Sequence, residues 1–169
     1  MDEKRLIVVG GGMRGRTYSD IAVTIDRGFK VVGVAEPIEE RREYFKNKHG
    51  IPDEMCFESW EGLLALPKIA DCAIISTMDR DHFAPALAAI RKGYDLLLEK
   101  PISPVPEECK ILCEEAEKYG SKVIVCHVLR YTAFFNALKM VIDSGDIGDV
   151  MHIQHAECVG NVHQSHSFV

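Results

Sequence analysis

The chain has 169 residues, 47% of them hydrophobic and 27% charged, and a formal net charge of −6 at pH 7. That length suffices for one domain with a proper core, or one domain and the beginning of another. The negative balance and the absence of a basic run argue against a nucleic-acid surface, and no apolar stretch approaches the roughly 20 residues a membrane span needs.

The opening MDEKRLIVVG has no apolar core followed by a small-residue cleavage site, so it does not read as a secretory signal. Residues 6–9 form a short apolar run that ends in Gly10-Gly11-Gly12-Met13-Arg14-Gly15. From 17 to 26, Ile21, Ala22 and Ile25 recur at helical spacing. Residues 29–35 are a second continuous apolar run, and 39–48 are charged and read as an exposed helix closed by Gly50 and Pro52. A short helix is expected over 59–66, a third strand over 72–76, a helix over 83–92 and a strand over 94–98. Pro106 suits the first turn of a helix, which should bury Cys109, Leu112, Cys113 and Ala116 and stop at Gly120. Residues 123–126 read as a strand and 134–142 as a helix punctuated by Gly145 and Gly148, and 150–159 is the last candidate strand. Apolar strands alternating with helices imply an α/β fold with a doubly wound parallel sheet, the Rossmann arrangement.

Gly10, Gly12 and Gly15 make G-x-G-x-x-G between the first strand and the first helix. The three glycines serve a tight turn, close approach of backbone to a pyrophosphate, and close helix–sheet packing. The helix N-terminus behind them offers free N–H groups to phosphates. Glu36 ends the second strand about 20 residues further on, where a carboxylate binds a ribose 2′-hydroxyl. It would repel a 2′-phosphate, so NAD is expected over NADP, with Arg41 and Arg42 close enough in sequence to oppose that preference.

Ligands of open parallel sheets bind outside the carboxyl ends of the strands. Two such ends stand out: Ser76-Thr77-Met78-Asp79-Arg80-Asp81-His82 and Glu99-Lys100-Pro101. Pro101 stops the ladder, and successive strand residues point to opposite faces, so Glu99 and Lys100 need not pair. A partly buried Lys100 with a lowered pKa could take a proton from a hydroxyl. A lysine reaching solvent explains the spacing equally well.

Six cysteines, Cys56, Cys72, Cys109, Cys113, Cys126 and Cys158, are scattered without a C-x-x-C pair, which suits free thiols in a reducing cytoplasm. No metal site is expected: His152, His155, His163 and His166 sit at alternating or loosely spaced positions that suit zinc poorly.

Beyond these features, the sequence resembles the Gfo/Idh/MocA family of nicotinamide-dependent oxidoreductases, which act largely on sugars, inositols and related polyols. The resemblance rests on VVGGGMRG from Val8, AEP at 35–37, STMDRDHF from Ser76, LLLEKPIS from Leu96, HVLRYTAFF from His127 and SGDIGDV from Ser144. It implies Lys100 as the proton-transferring residue. It also implies that Gly10, Gly12, Met13, Arg14, Gly15, Glu36, Ser76, Thr77, His82, Glu99 and Lys100 line the dinucleotide, with Arg130 near its nicotinamide end. His82 also fits a plain role in capping or packing its helix. Members of the family usually carry a second, mostly antiparallel domain, so a dinucleotide-binding domain is expected over 1–126 and a connecting helix with the beginning of a truncated second α+β domain over 127–169. The implied partner is a small sugar or polyol, with no nucleic acid or membrane and with a homo-oligomer allowed. Two other readings stand beside it: an NAD-dependent glycosidase, whose active-site loop the tail from Gly160 to His166 resembles, and a dinucleotide-binding module without catalysis.

Overall fold

The computed structural model describes residues 3–25, 28–158, 160 and 161. In chain order it runs β1 (Lys4–Val9), α1 (Met13–Thr24), β2 (Phe29–Ala35), α2 (Glu39–His49), β3 (Cys56–Phe57), α3 (Trp60–Ala65), β4 (Cys72–Ile75), α4 (Phe83–Arg91), β5 (Asp95–Leu98), α5 (Pro106–Tyr119), β6 (Val123–Val125) and α6 (Ala133–Ser144). The six strands form one sheet in the order β3-β2-β1-β4-β5-β6, parallel at every pairing. This is the doubly wound order, whose direction reverses beside β1.

The apolar runs explain the two buried faces. Ile7 and Val9 of β1 point to one side, where they pack with Ala73, Ile75, Ala86, Ile90, Leu98 and Leu112. Leu6 and Val8 point to the other and join Val31, Val34, Phe45 and Ile51. Every β1 position from Leu6 onward is therefore buried, as a sheet covered on both faces requires. Full burial of one such side chain stabilises the fold by about 1.5–3 kcal/mol. Helices α2 and α5 stop at Gly50 and Gly120, whose φ of 65° and 67° are left-handed.

The structure departs from the sequence reading at three places. Helix α1 begins at Met13 rather than at 17, because the glycine turn feeds straight into it. On α5 Leu112 is buried but Cys113 is exposed and Cys109 half-buried. Cys113 lies about 100° around the helix from Leu112, so one cannot face the sheet with the other. Residues 150–158 form no strand. A strand needs a partner ladder for its N–H and C=O groups, and none pairs with this stretch among the described residues.

The chain divides into two compact units, one through His127 and one from Val128 onward. In the second, α6 is capped at its start by Thr132, whose Oγ1 accepts from Phe135 N, and at its end by Gly145 in the left-handed conformation. No described helix is long and apolar enough to cross a membrane.

Candidate dinucleotide and active site

Strand register builds the site. Val9 pairs with Ala35 and Ile75, Ile75 with Leu98, and Leu98 with Val125. The residues immediately after these, Gly10, Glu36, Ser76, Glu99 and Cys126, therefore stand in one row along the carboxyl edge of the sheet. Each ladder continues one bond into that row: Gly10 N to Ala35 O (2.9 Å), Ser76 N to Val9 O (2.8 Å), Glu99 N to Ile75 O (2.9 Å) and Cys126 N to Leu98 O (2.9 Å).

Around the turn, each glycine has a different neighbour. Gly10 has φ 93°, and a Cβ there would lie 2.4 Å from Ser76 O. A Cβ on Gly15 would meet Gly10 O at 2.2 Å, which is the close helix–turn packing the motif requires. At Gly12 the nearest atom would be Arg41 Nη1 at 3.8 Å, so this Cβ would enter open space in front of the helix. Gly12 caps α1 without a side-chain hydrogen bond, and α1 has no acidic residue in its first turn to answer the free N–H groups. Met13 and Arg14 are exposed on that first turn. An open cleft of about 420 Å³ runs beside Gly12 between α1 and α2, bordered by Arg16, Asp20 and Arg41.

Glu36 is buried, yet both its oxygens are held: Oε2 accepts from Gly11 N at 2.6 Å and Oε1 from Ile38 N at 3.0 Å. Arg41 Nη1 lies 3.8 Å from Oε1. The neighbouring Arg42 is committed elsewhere, donating to Glu36 O and Pro37 O at 2.7 Å each and pairing with Glu58. Gly11 is a site residue the motif reading passed over. A Cβ there would press on Phe45 at 2.9 Å and on Glu36 at 3.2 Å, and three consecutive glycines were the available signal.

At the β4 end, Ser76 is buried and its Oγ donates to Gly10 O at 2.8 Å, which stitches β4 to the glycine turn. Thr77 Oγ1 is buried and has no hydrogen-bond partner among the described residues. His82 is fully buried, with Nδ1 2.6 Å from Pro101 O and Nε2 3.2 Å from Thr77 O. The ring thus packs between the loops that follow β4 and β5, and it does not cap α4 through its side chain.

At the β5 end the two neighbours diverge as strand geometry demands. Glu99 is buried, accepts from Lys100 N at 2.9 Å and from the Tyr18 hydroxyl, and lies 3.8 Å from Arg14 Nε. Lys100 is exposed, so the partial burial expected of it is not supplied by the described residues. The reason is positional: it is one residue past the row, where the sheet has ended and Pro101 turns the chain away. Arg130 belongs to the unit from Val128 onward, exposed on a 3₁₀ turn over Val128–Tyr131.

Among the cysteines, burial pushes the Cys126, Cys72 and Cys56 thiols up, which keeps them protonated and unreactive. No group of three or more metal-ligating side chains occurs among the described residues. His163 and His166, and most of the tail from Gly160 to His166, lie outside the described residues.

These residues suit a dinucleotide on two structural grounds. The space that a Gly12 Cβ would fill faces unanswered helix N–H groups, and a buried Thr77 hydroxyl lacks a partner on the same edge. A family model for the Gfo/Idh/MocA oxidoreductases, described as an NAD-binding Rossmann fold, matches residues 4–127. The chain belongs to the Gfo/Idh/MocA oxidoreductase family.

Among the family's curated proteins, an inositol 2-dehydrogenase from Agrobacterium fabrum is 28% identical over 141 residues, covering 83% of this chain and 41% of its own length. A glucose-6-phosphate 3-dehydrogenase from Bacillus subtilis is 25% identical over 151 residues, covering 89% of this chain and 41% of its own. Of solved structures, an NAD-binding protein from Listeria innocua superposes with a TM-score of 0.74 at 25% identity, covering 88% of this chain and 42% of that one. A myo-inositol 2-dehydrogenase from Lactobacillus plantarum shares the fold with a TM-score of 0.79 at 20% identity, over 88% of this chain and 43% of that one. This Gfo/Idh/MocA chain thus spans about two fifths of the length of these relatives.

Proposed function

We propose that the first unit of this chain is the dinucleotide-binding half of an oxidoreductase that moves a hydride between nicotinamide and a hydroxyl-bearing carbon of a sugar, inositol or related polyol. The observation that carries this reading is the row at the sheet edge: the glycine turn, Glu36 after β2 and Glu99 after β5 at one level, with Lys100 the next residue beyond it. Gly10, Gly12, Met13, Arg14 and Gly15 would hold the diphosphate, with Glu36 at the adenosine end and Ser76, Thr77 and Glu99 on the other side of the turn. His82 would act through the two loops it joins, and Arg130 is assigned to the nicotinamide end on resemblance. The nicotinamide, when bound, supplies the hydride acceptor or donor. Lys100 takes the hydroxyl proton at Nζ, or returns it in the reverse direction. Residues 127–169 are the connecting helix and the beginning of a second domain that completes the substrate site. The free thiols suit a reducing compartment such as the cytoplasm.

Binding tests the reading without requiring turnover. Gly12→Val adds a side chain that meets little protein, so the melting temperature should stay within a few degrees of wild type. Titration followed by NADH fluorescence should nonetheless show affinity reduced by at least about tenfold, since the valine occupies the diphosphate's place. A Gly12→Val chain that binds NADH as wild type does would overturn the assignment.

NAD is the preferred cofactor on this reading, because the Glu36 carboxylate would repel a 2′-phosphate and Arg41, 3.8 Å away, only partly offsets it. NADH is expected to bind about tenfold more tightly than NADPH. Arg41→Ala should widen that ratio and Glu36→Gln should narrow it. A wild-type chain that prefers NADPH refutes the role given to Glu36.

A further inference from the structure

Tyr18 is not one of the glycine-turn residues, yet it reaches the opposite end of the site. It lies on α1 one turn after Arg14, so both side chains leave the helix on the same face. Its ring packs, half-buried, against the cluster that includes Leu6, Val8 and Ile74. From there its hydroxyl donates to Glu99 Oε1, a carboxylate buried after β5. Arg14 Nε approaches the same oxygen at 3.8 Å, and Lys100 N holds the other at 2.9 Å. One helix therefore presents its N-terminus to the diphosphate site and, about a turn and a half later, a phenol to the residue beside Lys100.

We infer that Tyr18 is a positioning residue for the nicotinamide end of the site: its hydroxyl fixes the Glu99 carboxylate, the group proposed to line that half of the dinucleotide and the one that also holds the Lys100 backbone N–H. This rests on the dinucleotide reading proposed above. A buried carboxylate that loses a donor must find another or shift, and hydrogen bonds to charged groups are the stronger kind. Burial, and then the bond to Glu99, push the Tyr18 phenol well above its usual range, so it remains a donor throughout the working range of pH. On the adenosine side the corresponding carboxylate, Glu36, is held by Gly11 and Ile38 and not by Tyr18.

The site therefore offers an internal control: Tyr18 acts on the nicotinamide half of a dinucleotide and not on its adenosine half. The test uses the full 169-residue chain, with NADH and ADP as separate probes in calorimetric titrations. Tyr18→Phe removes one oxygen and keeps the ring, and is expected to weaken NADH about tenfold while leaving ADP within twofold. In a Glu99→Gln background the same change should have little further effect on NADH, since the two act as a unit. Tyr18→Gln, which returns an N–H donor, should recover part of the loss, and it carries the test if the phenylalanine variant does not fold. Equal weakening of both probes, unchanged NADH affinity, or full additivity with Glu99→Gln overturns the inference. Failure of the wild-type chain to bind either probe would instead overturn the dinucleotide reading on which it rests.

Discussion

Gly10→Ala is expected to lower the melting temperature of the first unit by about 10–15 °C and to abolish NADH binding at the temperatures where the chain remains folded. Two costs add at this position. A φ of 93° is strained for any residue with a Cβ, by about 1–2 kcal/mol. The new methyl would also lie 2.4 Å from Ser76 O and 2.6 Å from Thr77 N, backbone atoms directly after β4 in a segment tied to β1 by the Ser76 N–Val9 O bond. Overpacking of that kind costs a further 1–3 kcal/mol or so. Thermal unfolding followed by circular dichroism measures the first effect, and NADH titration at low temperature the second. A variant that melts with wild type would mean that the turn is looser than this geometry. Gly12→Val is the matching contrast, because there the same kind of change should reduce binding and spare stability.

Lys100→Met should act in the reverse sense to the glycine changes, leaving both stability and NADH affinity near wild type. With the first unit joined to a complete substrate domain that gives measurable NADH formation from a cyclic polyol, the rate at neutral pH should fall by about 10²–10⁴-fold, the usual contribution of a positioned proton acceptor. The side chain is exposed and makes no ion pair among the described residues, so its removal leaves no buried charge unpaired. Equal rates for the two chains would remove Lys100 from the mechanism. A parallel fall in NADH affinity would instead make it a cofactor contact.

How much of this was legible in the sequence depended on whether the information was local. The strands over 29–35 and 72–76, the glycine turn, and Glu36 at the end of β2 are read from runs and spacings within a few residues, and the sheet has them where the pattern put them. The boundaries of α1 were less legible, because glycine and arginine in its first turn carry no apolar period. What the sequence could not display is tertiary pairing. Nothing near Tyr18 announces Glu99, 81 positions away, and nothing in the histidine of DRDHF reveals two backbone carbonyls as its neighbours. Cys113 failed for a related reason: a helical face is wide, and only contact decides which part of it meets the sheet. The stretch 150–158 failed because β-branched content describes a preference and a strand also needs a partner.

The imidazole of His82 joins the backbone after β4 to the backbone after β5. Two segments packed against one buried ring cannot be altered independently: a displacement at Pro101 is felt at Thr77, and the reverse. Anyone recasting the substrate preference of this scaffold by transplanting one of these segments from a relative should therefore move both together, with the histidine between them, as a single cassette.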